Sequence, residues 1–112
     1  MKGNKKFNVT IKNTESLSEA IEIGEYKSGI LFIPDAWTAS DIQILASPAA
    51  SGPFVPLLVD GTAINLDAIA VDTAHVLPLG VFVPFFIQLF SHNATVAAAQ
   101  AADRIIGVTF SM

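Results

Sequence analysis

The sequence predicts an all-β fold: an antiparallel β-sandwich, jelly-roll-like, of about eight short strands. Three observations predict it. Apolar and polar residues alternate at period two in several short stretches. Turn-forming residues recur about every 8 to 12 positions. No stretch carries an apolar stripe wide enough for a long helix.

The elements follow in order. Phe7, Val9 and Ile11 alternate with Asn8, Thr10 and Lys12, the pattern of a half-buried strand. Ile21 and Ile23 flank Glu22, and Gly24 ends that strand. Residues 29–33, GILFI, form a continuous apolar run stopped by Pro34. Such a run predicts a central strand covered on both faces. Ile42 and Ile44 alternate around Gln43, up to the turn residues of ASPAASGPF. Residues 54–59 read as a short strand, which Pro56 assigns to an edge or bulge. Asp60-Gly61 is a hairpin signal, because glycine accepts the positive φ of a tight turn. Short pieces follow at 63–66, 69–71 and 75–77, then a strand over 85–91. NATVAAAQAAD has helix-forming alanines but no wider apolar stripe, so at most one helical turn is expected there. Ile106, Val108, Phe110 and Met112 alternate in a last strand.

With 112 residues the chain is expected to form one domain, residues 7–112, preceded by a flexible basic arm over 1–6. Hydrophobic residues make up 52% and charged residues only 14%, against about 25% charged in ordinary domains. A surface so poor in charge is expected to meet something other than water over part of its area. Lys2, Lys5, Lys6, Lys12 and Lys27 lie near the start, and Arg104 is the only basic residue after them. The net charge of −4 argues against a nucleic-acid partner. The absence of cysteine rules out disulfides and thiolate metal sites. Residues 76–90 come nearest to a membrane span, but they are too few and are interrupted by Pro78, Gly80 and Pro84. No secretory signal is read before Asn8, so the sequons at Asn8 and Asn93 are taken as chance matches.

Candidates for chemistry are few. His75 and His92 have no second ligand at metal spacing. Asp60, Asp67 and Asp72 each neighbour a turn, where aspartate hydrogen-bonds its own backbone. No phosphate-cradling glycine loop and no nucleophile elbow occurs. The expectation is a non-enzyme with no cofactor and no metal. Trp37, after Ile33-Pro34-Asp35-Ala36, is expected to cap the core rather than to stack on sugar. Asp103 and Arg104, at the entrance to the last strand, are expected to be structural. Arg104 should bond carboxylate or backbone carbonyls and pin the preceding loop.

Two stretches in combination resemble a family of small virion-associated proteins of tailed bacteriophages and prophages. One runs through Ser18, Ala20, Ile21, Gly24 and Tyr26 to Gly29, Pro34, Ala36, Trp37 and Thr38, continuing to Ala46, Ser47, Phe54, Leu57, Asp60 and Gly61. The other is Gln100, Ala101, Ala102, Asp103, Arg104 and Ile106. The resemblance implies a β-sandwich and a structural role in a phage particle. Where that family carries basic residues before its last loop, this chain has Phe85, Gln88 and Phe90.

The stretch VFVPFFIQLFSHN is apolar on both faces of a strand. Alternation assigns Phe85, Ile87 and Leu89 to the core face and Phe86, Gln88 and Phe90 to the outer face. Phe86, Gln88 and Phe90, with Lys2, Lys5 and Lys6 of the arm, are therefore the candidate interface; the alternative cover for the two rings is the alanine-rich loop. The functional expectation is a capsid decoration or cement protein on the phage head, bound to the major capsid protein and self-associated, a trimer being favoured. The competing expectations are a tail or fibre domain contacting cell-surface glycan, and a non-viral jelly-roll carbohydrate-binding module.

Overall fold

The computed structural model describes residues 4–67, 69–82, 85–93 and 96–112. Among them lie twelve strands: β1 (Lys5–Ile11), β2 (Ile21–Glu22), β3 (Ser28–Phe32), β4 (Asp41–Ser47), β5 (Val55–Pro56), β6 (Leu58–Val59), β7 (Thr62–Ala63), β8 (Asn65–Leu66), β9 (Ala74–Val76), β10 (Phe86–Asn93), β11 (Val96–Ala97) and β12 (Arg104–Ser111). One 3-10 turn, Leu79–Phe82, joins β9 to the last third of the chain.

Ten of the strands form two antiparallel sheets, and β6 and β7 pair separately as a two-stranded ribbon. One has the order β1-β12-β3-β9. The other is built on β10 and β4, with β2 and β11 along the free side of β10, and β5 and β8 along that of β4. Eight of these strands, β1-β12-β3-β9 facing β2-β10-β4-β5, reproduce the double-sheet jelly roll. The fold class expected from sequence is therefore the one observed. The strand count is higher because short pieces split. Pro56 cannot donate to a ladder, so residues 54–59 become β5 and β6, separated by Leu57, whose N–H bonds Ile44 O at 3.0 Å.

Each sheet turns its alternating apolar set inward. Ile11, Leu31, Ile106 and Phe110 from the first sheet meet Ile42, Ile44, Ile87 and Leu89 from the second, all fully buried. Phe110 is the hub. Its ring meets Phe7 and Phe82 edge-on, both at 5.3 Å between centroids, and Tyr26 at 5.6 Å. β3 passes so close to this ring that only glycine fits at position 29.

The Asp60-Gly61 turn joins β6 to β7 with φ of 51° and 80°, the pair of positive values that a two-residue hairpin requires. Gly61→Ala is expected to lower stability by about 1 kcal/mol, because a Cβ disfavours that φ. A urea unfolding curve measures this, and an unchanged midpoint contradicts it.

Two expectations need correction. Lys5 and Lys6 do not belong to a flexible arm: they pair with Phe110 and Thr109 in the β1–β12 ladder. Hydrogen bonding along β12 extends the strand two residues beyond the apolar alternation. The GILFI run is covered on one face only: Leu31 and Ile33 are buried, while Phe32 is 46% exposed. The alanine-rich segment, expected to hold at most one helical turn, has no helix in its described part, and Val96–Ala97 pairs with the end of β10.

Candidate functional site

Three surfaces concern function: the outer face of the β10 sheet, the outer face of the β12 sheet, and the loop cluster at one end of the sandwich.

On β10 the alternation places Ile87 and Leu89 in the core at 0% exposure, with Phe86, Gln88 and Phe90 on the opposite face. All three are half-buried rather than bare. Residues 16–22 run along the edge of β10 and supply the cover. Leu17 bridges Phe90, Ser91 N donates to Ser16 O at 2.7 Å, and Glu22 pairs with Phe86. The Gln88 side-chain amide donates to Ser18 O at 2.7 Å, so it serves this edge instead of pointing free. Phe90 stacks on His92 with centroids 5.6 Å apart and planes 8° apart. Phe85 departs from its expected core place: β10 begins one residue later, and Phe85 is 71% exposed while its carbonyl accepts from Ile23 N at 3.0 Å. What remains is a shallow apolar band of Phe86, Phe90 and Leu17.

Lys2 lies outside the described residues. Lys5 sits on β1 with its ammonium 5.2 Å from the Phe7 ring centroid. Lys6 points to the opposite side, the outer face of the β12 sheet.

That second face was not legible in the sequence. Three rows cross the strands: Lys6, Thr109, Ile30 and Val76; then Asn8, Gly107, Phe32 and Ala74; then Thr10 and Ile105. Asp72 closes the far end of the last row, where its N–H bonds Pro34 O at 3.1 Å. The centre of this face carries no charge. Val76 is 74% exposed and Ile105 54%. A shallow depression over Gly107 is lined by Lys6, Asn8, Phe32 and Thr109. The sequence signal was the unbroken run of β3, which needs a cover on both sides.

The end cluster joins the two stretches that carry the phage resemblance. Gln100 is 1% exposed. Its Oε1 accepts from Thr38 N at 2.9 Å and from Arg104 Nε at 3.2 Å. Its Nε2 donates to Ser91 Oγ at 2.9 Å. Ser91 and Ser40 share a hydroxyl contact of 2.7 Å, and Ser91 Oγ donates to Ala98 O at 2.8 Å. Thr38 Oγ1 accepts from Ala101 N at 3.0 Å and Arg104 Nη2 at 3.2 Å. Arg104 thus ties down the preceding loop through an amide and a hydroxyl, not the carboxylate or backbone carbonyls expected. Asp103 Oδ1 accepts from Asn13 N at 2.8 Å. Trp37 packs on the core and donates from Nε1 to Ser40 O at 3.2 Å. The donors and acceptors of this cluster are directed at one another, the arrangement of a structural clasp rather than of a reaction centre.

His75 bonds Thr73 Oγ1 at 3.0 Å. Among the described residues no group of three His, Cys, Asp or Glu converges as a metal site would require. No described helix is long and apolar enough to cross a membrane.

Fold and surfaces together define an all-β jelly-roll domain with two partly apolar outer faces. No family model matches the chain, and no curated protein matches it. Among solved structures it is similar to the SPBc2 prophage-derived protein YomS, with a TM-score of 0.57 over 98% of this chain and 96% of that one. The identity is 13%, so the likeness is one of fold.

Proposed function

We propose that the protein is a non-enzymatic structural component of a bacteriophage virion, placed on the head as a decoration protein that binds the major capsid protein. The observation that carries this reading is the end-to-end fold likeness to a prophage-derived protein. The resemblance in sequence supports it, since its two stretches meet in one clasp that holds the fold. A shell-binding protein needs a broad, weakly charged surface repeated over many copies, so that a modest interface suffices. The Phe86–Phe90 band is the surface assigned to the shell.

The glycan-binding alternatives gain no specific support. They called for Trp37 or Tyr26 open beside polar groups, and both rings are packed against the core.

The test compares copy number and occupancy. A head decoration protein is present on purified particles in numbers comparable to the capsid subunits; a tail protein is present in a handful. The double change Phe86→Ser with Phe90→Lys is expected to leave circular dichroism unchanged and to abolish particle binding. Loss of the fold assigns both rings to the domain's own stability and moves the shell contact elsewhere.

A further inference from the structure

We propose that the free edge of β1 accepts an extended, acidic segment of the capsid protein as a further strand of the β12 sheet. The inference rests on the virion reading and names the chemistry of the shell contact.

Three observations carry it. The first is where the backbone groups of β1 point. Thr10 N donates to Glu19 Oε1 at 3.0 Å, and the neighbouring Ile11 bridges Ser18, so residues 18 and 19 lie on the side of β1 away from β12. Backbone groups alternate sides along an antiparallel strand. The N–H and C=O of Asn8 and Lys6 therefore point to that same open side, while those of Phe7 and Val9 serve β12. Among the described residues nothing pairs with the open side between Lys5 and Val9.

The second observation is that the other edges are closed or broken. β9 has three residues, β8 and β11 have two each, and β5 carries Pro56. Residues 16–22 occupy the free side of β10. Short length, proline and cover all blunt an edge. β1 is seven residues long and has only its lysines.

The third is charge. Lys5 lies over the Phe7 ring and Lys6 is on the outer face, so each side of the edge carries an ammonium, and β1 holds no acid. A β1 strand from a second copy adds two more ammoniums. The occupant is instead a different segment, with carboxylates where it passes Lys5 and Lys6.

Glu19 stands on Thr10, so the added strand pairs along Lys5–Val9 only. Beyond Asn8 the edge leads to a recess lined in part by Lys12, Leu17, Glu19 and Gln88. Leu17 also belongs to the Phe86–Phe90 band, which joins edge and band into one surface. Strand addition draws affinity from main-chain hydrogen bonds. Few bonds form here, and repetition over many copies makes them sufficient.

Hydrogen exchange of the full chain, free and bound to purified phage heads, tests this; it is read by mass spectrometry on fragments covering residues 4–11. In the free protein the Lys6 and Asn8 amides are expected to exchange fast and those of Phe7 and Val9 slowly. On the head the Lys6 and Asn8 amides are expected to slow about tenfold or more. Asn8→Pro removes a donor that the β1–β12 ladder does not use, and an edge strand accepts proline there. This variant is expected to keep its circular dichroism and to lose about tenfold in head occupancy, the worth of one net hydrogen bond. Lys5→Glu with Lys6→Glu, both exposed, is expected to cause a similar loss of about tenfold without touching the ladder. Absence of the protein from heads overturns the virion reading and this inference together. Presence on heads with unchanged exchange at Lys6 and Asn8, or with occupancy indifferent to both variants, overturns this inference alone. If Asn8→Pro lowers occupancy and the charge reversal does not, the segment is not acidic and the proposed occupant is wrong. Slow exchange of both amides in the free protein, with a dimeric mass, gives the edge to a second copy and overturns the proposal too.

Discussion

Gln100→Ala is expected to lower stability by about 3 kcal/mol, the largest effect of any polar substitution in the chain. The side chain is 1% exposed, and its amide holds partners from three separate segments: Thr38, Ser91 and Arg104. Truncation strands the Thr38 N–H and removes one bond from the Ser91 hydroxyl, which keeps Ser40 and the Ala98 carbonyl. Each stranded buried group costs about 1–3 kcal/mol, and partners in a network are not independent. Arg104→Ala should cost less, because Arg104 is half-buried and water can replace part of what it supplies. Urea titrations of the parent and both variants check the order. A Gln100→Ala midpoint equal to the parent's shows that the clasp does not hold the fold.

Phe110→Ala is expected to cost about 3–5 kcal/mol, the range for removing a buried ring. Phe110 is fully buried and touches three other rings. Its neighbour Gly29 shows how tightly that ring is held. A Cβ at position 29 falls 2.6 Å from Phe110 Cδ1 and 3.0 Å from Phe82 Cζ. The Phe110 ring cannot retreat, because Phe7 and Tyr26 stand against it. Gly29→Ala alone should therefore cost about 2–3 kcal/mol through overpacking. With Phe110→Leu the added methyl has more room, so the double variant should be more stable than the sum of the two losses predicts. Additive losses in thermal or urea unfolding disprove a direct steric conflict between the two positions.

Period-two alternation is a property of the backbone itself, since successive side chains leave a strand on opposite sides. For that reason the inward sets Phe7-Val9-Ile11, Ile87-Leu89 and Ile106-Val108-Phe110 were legible in the sequence, and with them the all-β class. Asp60-Gly61 was legible for a similar reason: the left-handed φ that the turn needs is a preference of those two residues. The ends of strands were less so. Phe85 fits the alternation of β10 yet lies outside it, and Lys5 and Lys6 break the alternation of β1 yet lie inside it. Pairing partners decided both.

The sequence by itself determined which residues face inward on each strand and where the chain turns. Only the tertiary structure decided what each strand faces. Gln100 looks like a loop residue until the fold carries it to Thr38, 62 positions away, and Asn13 meets Asp103 across 90. Contacts of that range leave no local pattern, because they depend on which sheet each strand joins. The same holds for β3: its apolar run announces a need for two covers, but only the packed sandwich shows that the chain supplies one and leaves Phe32, with Val76 beside it, facing outward.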